Sequence, residues 1–183
     1  MPGAPEGEKD GALLGKGSQK RVTSVTRNGR RLALMTSRRS SSSSSRALLR
    51  EALMMRYLDH KNLLPLEKVG FDASSRVMME VPIARFGSVP DLVDDLEFEG
   101  ELAELTAEHV EEALAQVAAG LRFMHSVGLR HNDLAARNVL VFRFERGRPA
   151  KTHVKLGDFG EASVGGGAES LAALHREMHS LRE

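Results

Sequence analysis

The motif HNDLAARN at residues 131–138, together with the triplet DFG at residues 158–160, decides the fold of this chain. An apolar pattern of helical spacing precedes the first motif. Two short apolar runs, residues 139–142 and 154–156, lie between the motifs and predict a pair of strands. Asp and Asn are common in turns, so each motif alone carries little information. A helix, a polar loop, a strand pair and a second polar turn in this order are improbable by chance, and they predict one shared site.

The two motifs resemble the catalytic loop and the metal-binding triplet of protein kinases. Phosphoryl transfer needs a carboxylate at the attacking hydroxyl and oxygen ligands for the magnesium ions that neutralise the phosphates. The resemblance implies that Asp133 orients and deprotonates the acceptor, and that Asn138 and Asp158 hold magnesium. It also places Arg137 near the transferred phosphate, in a loop similar to that of tyrosine kinases and some tyrosine-kinase-like enzymes. The choice between Ser, Thr and Tyr hydroxyls stays open.

Further landmarks of the family appear in order over residues 14–160. The strand and turn that begin at Leu14 resemble the glycine-rich loop that covers ATP phosphates with backbone N–H groups. Glu51, in a helix predicted to begin near Ala47, resembles the acidic residue of the regulatory αC helix. The residues that the resemblance assigns to nucleotide binding are Leu14, Gly15, Gly17, Val22, Ala33, Glu51, Glu80, Ala84 and Leu140. Among them, the adenine ring would be sandwiched by Val22, Ala33 and Leu140. An apolar stack connecting the lobes is assigned to Met55, Leu66, His131 and Phe159.

The strand that ends in a lysine in most kinases reads LALM at residues 32–35, so Met35 replaces the lysine that binds the α- and β-phosphates. Methionine cannot supply positive charge, and such charge is a large part of how phosphoryl transfer is accelerated. One interpretation is therefore a catalytically dead pseudokinase. The other starts from Lys20, which replaces the third loop glycine as in the with-no-lysine kinases. Its ammonium, on a flexible stem, would reach Glu51 and the phosphates from the roof of the site.

Two further positions depart from the family pattern. Asn132 replaces the arginine that in many kinases pairs with a phosphorylated activation loop, so switching by that ion pair is not expected. In the connection between the lobes, a gatekeeper at Met79 puts Pro82, which has no N–H, where a backbone N–H should bind adenine. A gatekeeper at Val81 assigns that N–H to Ala84 instead. The sequence leaves both registers open.

The resemblance implies an α+β, protein-kinase-like fold of two lobes. Residues 1–11 are predicted to be a disordered leader, and residues 12–84 a β-rich N-lobe with the αC helix. A six-serine tract within residues 38–46 predicts a flexible connector in that lobe. Residues 85–160 are predicted to be a partial, mainly helical C-lobe. Residues 161–183 lack the family's Ala-Pro-Glu motif, which predicts a truncated activation segment with a short amphipathic helix, in a fragment of a longer kinase.

The composition is that of a globular chain, with 41% hydrophobic and 28% charged residues. A net charge of +1 gives no strong field for nucleic acid, so nucleic-acid binding is not expected. The absence of cysteine excludes disulfides and thiolate metal sites. No apolar run approaches the roughly 20 residues that cross a bilayer. We therefore expect a cytoplasmic protein without a membrane partner.

The interpretation that accounts for the whole pattern is a kinase domain that uses ATP and magnesium to phosphorylate a protein Ser, Thr or Tyr hydroxyl. Its partner would be a protein substrate or a regulatory protein, and the sequence leaves the oligomeric state undetermined. The first alternative is the pseudokinase as a binding or regulatory module. The second is a small-molecule phosphotransferase similar to the aminoglycoside kinases, which share a His-x-Asp loop. The DFG triplet and the helix around Glu51 argue against this second alternative.

Overall fold

The computed structural model describes residues 11–16, 20–37 and 42–165 of the chain. Gly17, nearly all of the predicted leader and the predicted C-terminal helix lie outside the described residues. The described part forms a β-rich upper lobe and a mainly helical lower lobe, so the predicted two-lobed α+β fold is confirmed. No helix in this part is both long enough and apolar enough to cross a membrane.

In the described residues, the upper lobe is an antiparallel sheet of five strands in the order β1-β2-β3-β5-β4. The strands are β1 (Leu13–Lys16), β2 (Lys20–Arg27), β3 (Arg30–Ser37), β4 (Lys68–Phe71) and β5 (Val77–Pro82). The hairpin between β2 and β3 turns at Asn28 and Gly29, with φ of 51° and 74°. Asn and Gly tolerate this left-handed conformation, which twists the turn in the same sense as the paired strands. The hairpin places Lys20 opposite Ser37 at its open end.

Helix α1 (Ser42–Met55) packs against the sheet and buries Leu48, Ala52 and Met55. It begins at Ser42, ahead of the predicted start at Ala47. The prediction of a flexible connector is therefore wrong for its last serines, while residues 38–41 lie outside the described residues. Serine is tolerated in the first turn of a helix, where the N–H groups have no helical partner and short polar side chains bond to the backbone. The apolar face that follows supplies the packing that sustains the helix.

The lower lobe is built on helices α2 (Val89–Phe98) and α3 (Ala107–Ser126). Ser88 precedes α2, and its N–H donates to Asp91 Oδ2 at 2.7 Å in a capping box. Gly128, with φ of 75°, follows the end of α3. The described part of the lobe also contains four short strands, of which β6 pairs with β9 and β7 pairs with β8. They are β6 (Leu129–Arg130), β7 (Val139–Arg143), β8 (His153–Leu156) and β9 (Ser163–Val164).

The segment between α1 and β4, called the joining segment below, is hydrogen-bonded to β8 and α3 of the lower lobe. The Leu64 N–H donates to the Leu156 carbonyl at 2.9 Å, and the Leu156 N–H donates to the Asn62 carbonyl at 2.9 Å. The Asn62 side chain donates to the Val154 carbonyl at 3.1 Å and to Gln116 Oε1 at 2.9 Å. These bonds hold β8 against the joining segment, and they thereby fix the start of the DFG triplet that follows β8.

Helix α3 contacts the same segment at Gly120, and this close approach yields a prediction. A Cβ at Gly120 would lie 2.9 Å from Leu63 Cδ2 and 3.1 Å from the Asn62 carbonyl oxygen. We predict that Gly120→Ala lowers the free energy of unfolding by about 1–2 kcal/mol, because the overpacking outweighs the helix preference of alanine. Urea unfolding measures the change. Gly70→Ala is the control, since its Cβ would meet nothing within 4 Å. Equal stability of the two variants would contradict the close packing.

Candidate functional site

A cavity of about 540 Å³ lies between the two lobes. The predicted site residues on its wall are Gly15, Lys20, Val22, Glu51, Asp133, Arg137, Asn138, Leu140 and Asp158. Leu14, Ala33, Glu80 and Ala84 are not part of this wall, and Gly17 lies outside the described residues. The two aspartates of the catalytic loop and the DFG triplet thus face one cavity, as the order of the motifs predicts.

An ion cluster at Lys20 connects three separate parts of the chain. The Lys20 ammonium lies 2.7 Å and 2.8 Å from the two carboxylate oxygens of Glu51 and 2.7 Å from Asp158 Oδ1. Lys20 is the first residue of β2, Glu51 lies on α1, and Asp158 follows β8. The contact with Glu51 is the one that the surrogate-lysine interpretation predicts, and the contact with Asp158 of the DFG triplet is an additional finding.

Burial and charge act in opposite directions within this cluster. Desolvation disfavours the Lys20 ammonium, but Glu51 and Asp158 outweigh it and raise the pKa of Lys20 above its ordinary value. Burial also raises the pKa of Glu51, whose side chain is only 3% exposed, and the attraction of Lys20 opposes that rise. Lys20 is therefore a cation at neutral pH, and it is the group that keeps a charge on Glu51 tolerable.

Met35 lies on the same face of the sheet as Lys20. Strand β3 pairs with β2 so that Lys20 faces Ser37 and Val22 faces Met35, and all four side chains line the cavity. Residues directly opposite each other in an antiparallel pair share a face. A lysine on either strand can therefore serve one cavity, and in this chain β2 supplies it while Met35 packs against the apolar core.

The catalytic-loop aspartate is held by two neighbouring side chains. Arg137 Nη2 donates to Asp133 Oδ1 at 2.6 Å, and Asn138 Nδ2 donates to Asp133 Oδ2 at 3.0 Å. The hydrogen bond from Asn138, followed by the one from Arg137, lowers the pKa of Asp133 below its ordinary value. Asp133 is consequently an oriented carboxylate at neutral pH, with its two oxygens fixed toward the cavity.

The oxygen atoms of Asn138 and Asp158 fit a hard divalent cation. Asn138 Nδ2 also donates to the Asp133 carbonyl at 2.7 Å, so the amide nitrogen is turned away and the amide oxygen is the atom left for a metal. The Asp158 side chain is 45% exposed in the cavity. Carboxylate and amide oxygens are the ligands that Mg²⁺ prefers. No group of three or more His, Asp or Glu side chains that would hold a metal occurs among the described residues.

The predicted apolar stack lies in the core behind the cavity. Met55, His131 and Phe159 are buried, and Leu66 is a half-buried side chain packed against the hydrophobic core. The rings of His131 and Phe159 have centroids 5.5 Å apart, and His131 Nε2 lies 3.0 Å from the Gly157 carbonyl oxygen. This packing holds the DFG triplet with its phenylalanine inward and Asp158 toward the cavity.

The pairing of β3 with β5 is defined over the end of β5. Ala33 lies opposite Val81, and the next pair is Leu34 with Glu80. Neither Val81 nor Ala84 lines the cavity, so the choice between Met79 and Val81 as gatekeeper stays a prediction.

Glu80, which the sequence assigns to nucleotide binding, makes its hydrogen bonds within the upper lobe. Its carboxylate accepts a hydrogen bond from Arg27 Nε at 3.0 Å, and its backbone carbonyl accepts one from the Glu67 N–H at 2.9 Å. Side chains alternate between the faces of a strand, so the Glu80 side chain lies on the face opposite to that of Val81.

Sequence reasoning missed three residues of the cavity wall on helix α1. Ser44, Ala47 and Leu48 line the cavity together with Glu51. They precede Glu51 by seven, four and three residues, which is the spacing of one helical face. The predicted connector included Ser44, so the position of Ser44 on the same helical face as Glu51 was not recognised.

Asn132 fastens the chain that follows the DFG triplet. Its Nδ2 donates to the Glu161 carbonyl at 3.0 Å and to Ser163 Oγ at 2.7 Å. Ser163 belongs to β9, which pairs with β6. The position where many kinases carry an arginine for a phosphorylated loop therefore carries an uncharged tether to the backbone, and Asn132 adopts φ of 62°, which asparagine tolerates.

A family model described as protein tyrosine and serine/threonine kinase matches residues 11–173. The chain belongs to the protein kinase family. In this kinase chain the match covers both lobes and all of the cavity residues named above.

Three curated relatives illustrate the similarity. Testis-specific serine/threonine-protein kinase 3 of Homo sapiens is 31% identical over 133 residues, which are 73% of this chain and 42% of the relative. A serine/threonine-protein kinase H1 homolog of Danio rerio is 29% identical over 155 residues, or 84% of this chain and 34% of the relative. Activated Cdc42 kinase-like of Drosophila melanogaster is 32% identical over 112 residues, or 61% of this chain and 8% of the relative. The kinase chain thus spans less than half the length of these relatives.

The ion cluster yields a prediction about stability and pH. We expect Lys20→Met to lower the free energy of unfolding by about 3 kcal/mol at pH 7, because it leaves the buried Glu51 carboxylate without its cationic partner. The loss should be smaller at pH 5 than at pH 7, since burial raises the pKa of Glu51 and a falling pH favours its uncharged form. Thermal and urea unfolding at both pH values measure the effect. Arg21→Met, at the exposed next residue of β2, is the control. A loss that is the same at both pH values would contradict the role of Glu51.

Proposed function

We propose that this chain carries the nucleotide site of a protein kinase that binds ATP with magnesium and transfers the γ-phosphate to a protein hydroxyl. The observation that carries the proposal is the Lys20 ammonium within 2.8 Å of Glu51 and Asp158, in a chain that has methionine at the usual lysine position. Family membership supports the reaction class, and a protein substrate is the partner that this class implies.

Asp133 is the group proposed to receive the acceptor hydroxyl. A carboxylate whose pKa is lowered is a weak base, so its main contribution is to orient the hydroxyl and to accept its proton as the phosphoryl group departs. Arg137, bonded to Asp133, adds positive charge beside the position of the transferred phosphate. Both residues lie on the cavity wall.

Magnesium would be held by the Asn138 amide oxygen and by Asp158, and it would neutralise charge on the phosphates. Asp158 has to exchange part of its contact with Lys20 for the cation, and Lys20 keeps Glu51 as its second partner. Lys20 is then directed at the phosphates from the roof strand β2. A preorganised cation in this position stabilises negative charge that develops during transfer.

The pseudokinase alternative rests on Met35 and is less well supported. It requires that the cavity lack a cation for the phosphates, whereas Lys20 occupies the required place. The small-molecule phosphotransferase alternative is disfavoured because the curated relatives named above are protein kinases by name. Those names and the catalytic loop point to different hydroxyls, so the proposal extends to Ser, Thr and Tyr alike.

The metal ligands give the first functional prediction. Asp158→Asn should weaken ATP binding in the presence of magnesium by at least tenfold and leave the weaker magnesium-free binding nearly unchanged, because the variant loses the ligand charge for the cation. Isothermal titration calorimetry with and without magnesium measures both affinities. Asp72→Asn, in the turn between β4 and β5, is the matched control because it changes a carboxylate far from the cavity. ATP affinity that is independent of magnesium in the unaltered protein would refute the metal role.

Moving the cation between neighbouring strands gives the second functional prediction. Lys20→Met should reduce phosphate transfer about a hundredfold or more, and the double variant Lys20→Gly with Met35→Lys should restore much of it, because both positions face the same cavity. Transfer of radiolabelled phosphate to a peptide library measures the rates, with Asp133→Asn as the background. If transfer by the unaltered protein does not exceed that of Asp133→Asn, the pseudokinase alternative is favoured.

A further inference from the structure

Another cavity, of about 500 Å³, lies between helix α3, the joining segment and the β7–β8 hairpin. Its lining residues all differ from those of the nucleotide cavity. We call it the basic pocket, because Lys61, Arg143 and Lys151 contribute cations to its wall and His153 also lines it. The rest of the wall consists of Asn62, Glu112, Gln116, Phe142, Ala150 and Thr152.

Positive charge converges on the basic pocket from separate parts of the chain. Arg143 lies opposite His153 in the β7–β8 pair, and Lys155 follows His153 by two residues on β8. Lys155 Nζ donates to the Lys61 carbonyl at 2.5 Å, which brings this lysine to the joining segment. The pKa of His153 is lowered by burial and then by three neighbouring cations, which are Lys155, Arg143 and Lys61. The field in the pocket therefore repels a further positive charge and attracts an anion.

The three cations of the pocket wall have no carboxylate partner within the described residues. Two other arginines of the same hairpin are paired, Arg146 with Glu99 and Arg148 with Glu145. Like charges that are held together without partners oppose folding, so stability does not explain this arrangement. A ligand of opposite charge does.

The positive charge of the pocket is a local feature. Glu112 is the acidic residue of the wall, and its Oε1 accepts a hydrogen bond from Gln116 Nε2 at 2.7 Å. One carboxylate thus stands against three cations, whereas the whole chain has a net charge of only +1. A concave site with a local field selects a ligand of matching charge, while a nucleic acid or a membrane surface calls for a broad basic face.

The size and the polarity of the pocket favour a peptide over a small inorganic ion. Phosphate would fill only a small part of the cavity, and it consists mainly of hydrogen-bond acceptors. Asn62 and Thr152 are 1% and 7% exposed, and each carries a side-chain oxygen without a hydrogen-bond partner among the described residues. Backbone N–H groups of a peptide would supply donors for these oxygens, and Phe142 and Ala150 offer it apolar surface.

We infer that the basic pocket binds an acidic, extended segment of a partner protein, with carboxylates of that segment on Lys61, Arg143 and Lys151. The bound segment would also lie beside Asn62, whose carbonyl accepts the Leu156 N–H and so helps to hold β8. The inference concerns a surface outside the nucleotide cavity and does not depend on the proposed function.

Charge neutralisation at the wall tests the inference. The probe is a fluorescein-labelled peptide of alternating glutamate and glycine, and its binding to the full chain is followed by fluorescence anisotropy at about 0.15 M salt. Arg143→Gln with Lys151→Gln should weaken binding about tenfold, because two contacts with carboxylates are lost. The control is Arg146→Gln with Arg148→Gln, which makes the same change in net charge on the same hairpin but outside the pocket wall. It should leave the affinity nearly unchanged.

Two further measurements separate a ligand site from a structural role. Glu112→Gln should strengthen binding of the same peptide about threefold, because it removes a negative charge from the wall. The Tm of the Arg143→Gln and Lys151→Gln double variant should not fall, since neutralisation relieves the repulsion between the cations. A clear fall in Tm would assign these side chains to the stability of the hairpin and would overturn the inference.

The remaining outcomes also decide the matter. Equal weakening by the two double variants, or an affinity that Glu112→Gln does not raise, shows attraction to net charge alone and overturns the inference. Inorganic phosphate that displaces the peptide at an equal concentration of charge assigns the pocket to a free ion. Vesicles containing phosphatidylserine that bind through Arg143 and Lys151, when the peptide does not bind, assign it to a membrane. Either assignment overturns the inference.

Discussion

The need to pair the buried carboxylate of Glu51 is the constraint on which the site depends. Desolvation of a charge costs several kcal/mol unless a partner of opposite sign lies within contact distance, so α1 can pack against the sheet only where a cation meets this glutamate. Lys20 provides that cation and also contacts Asp158. One ammonium group therefore sets the positions of the roof strand, of α1 and of the DFG turn relative to one another.

This constraint explains how the site tolerates a methionine where a lysine is usual. Glu51 fixes the place where positive charge is required but does not fix the strand that supplies it. The cavity face of the β2–β3 hairpin contains both candidate positions, Lys20 and Met35. A long, flexible lysine stem reaches the same place from the neighbouring strand, while the thioether fills the apolar space left on β3. The positive charge therefore lies beside Glu51 although the lysine that carries it belongs to β2 and not to β3.

The sequence predicted those features that local patterns determine. The order of the two motifs and the strand pair between them depend on near neighbours in the chain, and the structure agrees with both. The sequence alone could not decide whether Lys20 replaces the missing lysine, because the answer depends on its contact with Glu51, 31 residues away on α1. The strand register that turns the Glu80 side chain away from the cavity also depends on tertiary pairing. The serine tract was misjudged because composition alone does not show the apolar packing that extends α1.

The hydrogen bonds from Asn132 to the chain after the DFG triplet are only weakly sensitive to dissolved salt. In these bonds, an amide donates to a carbonyl and to a hydroxyl, and no ion pair is involved. Dissolved salt weakens contacts between exposed charges much more than it weakens neutral hydrogen bonds. The two bonds that hold Glu161 and Ser163 should therefore change little between dilute and concentrated electrolyte, and neither of them contains a phosphate group.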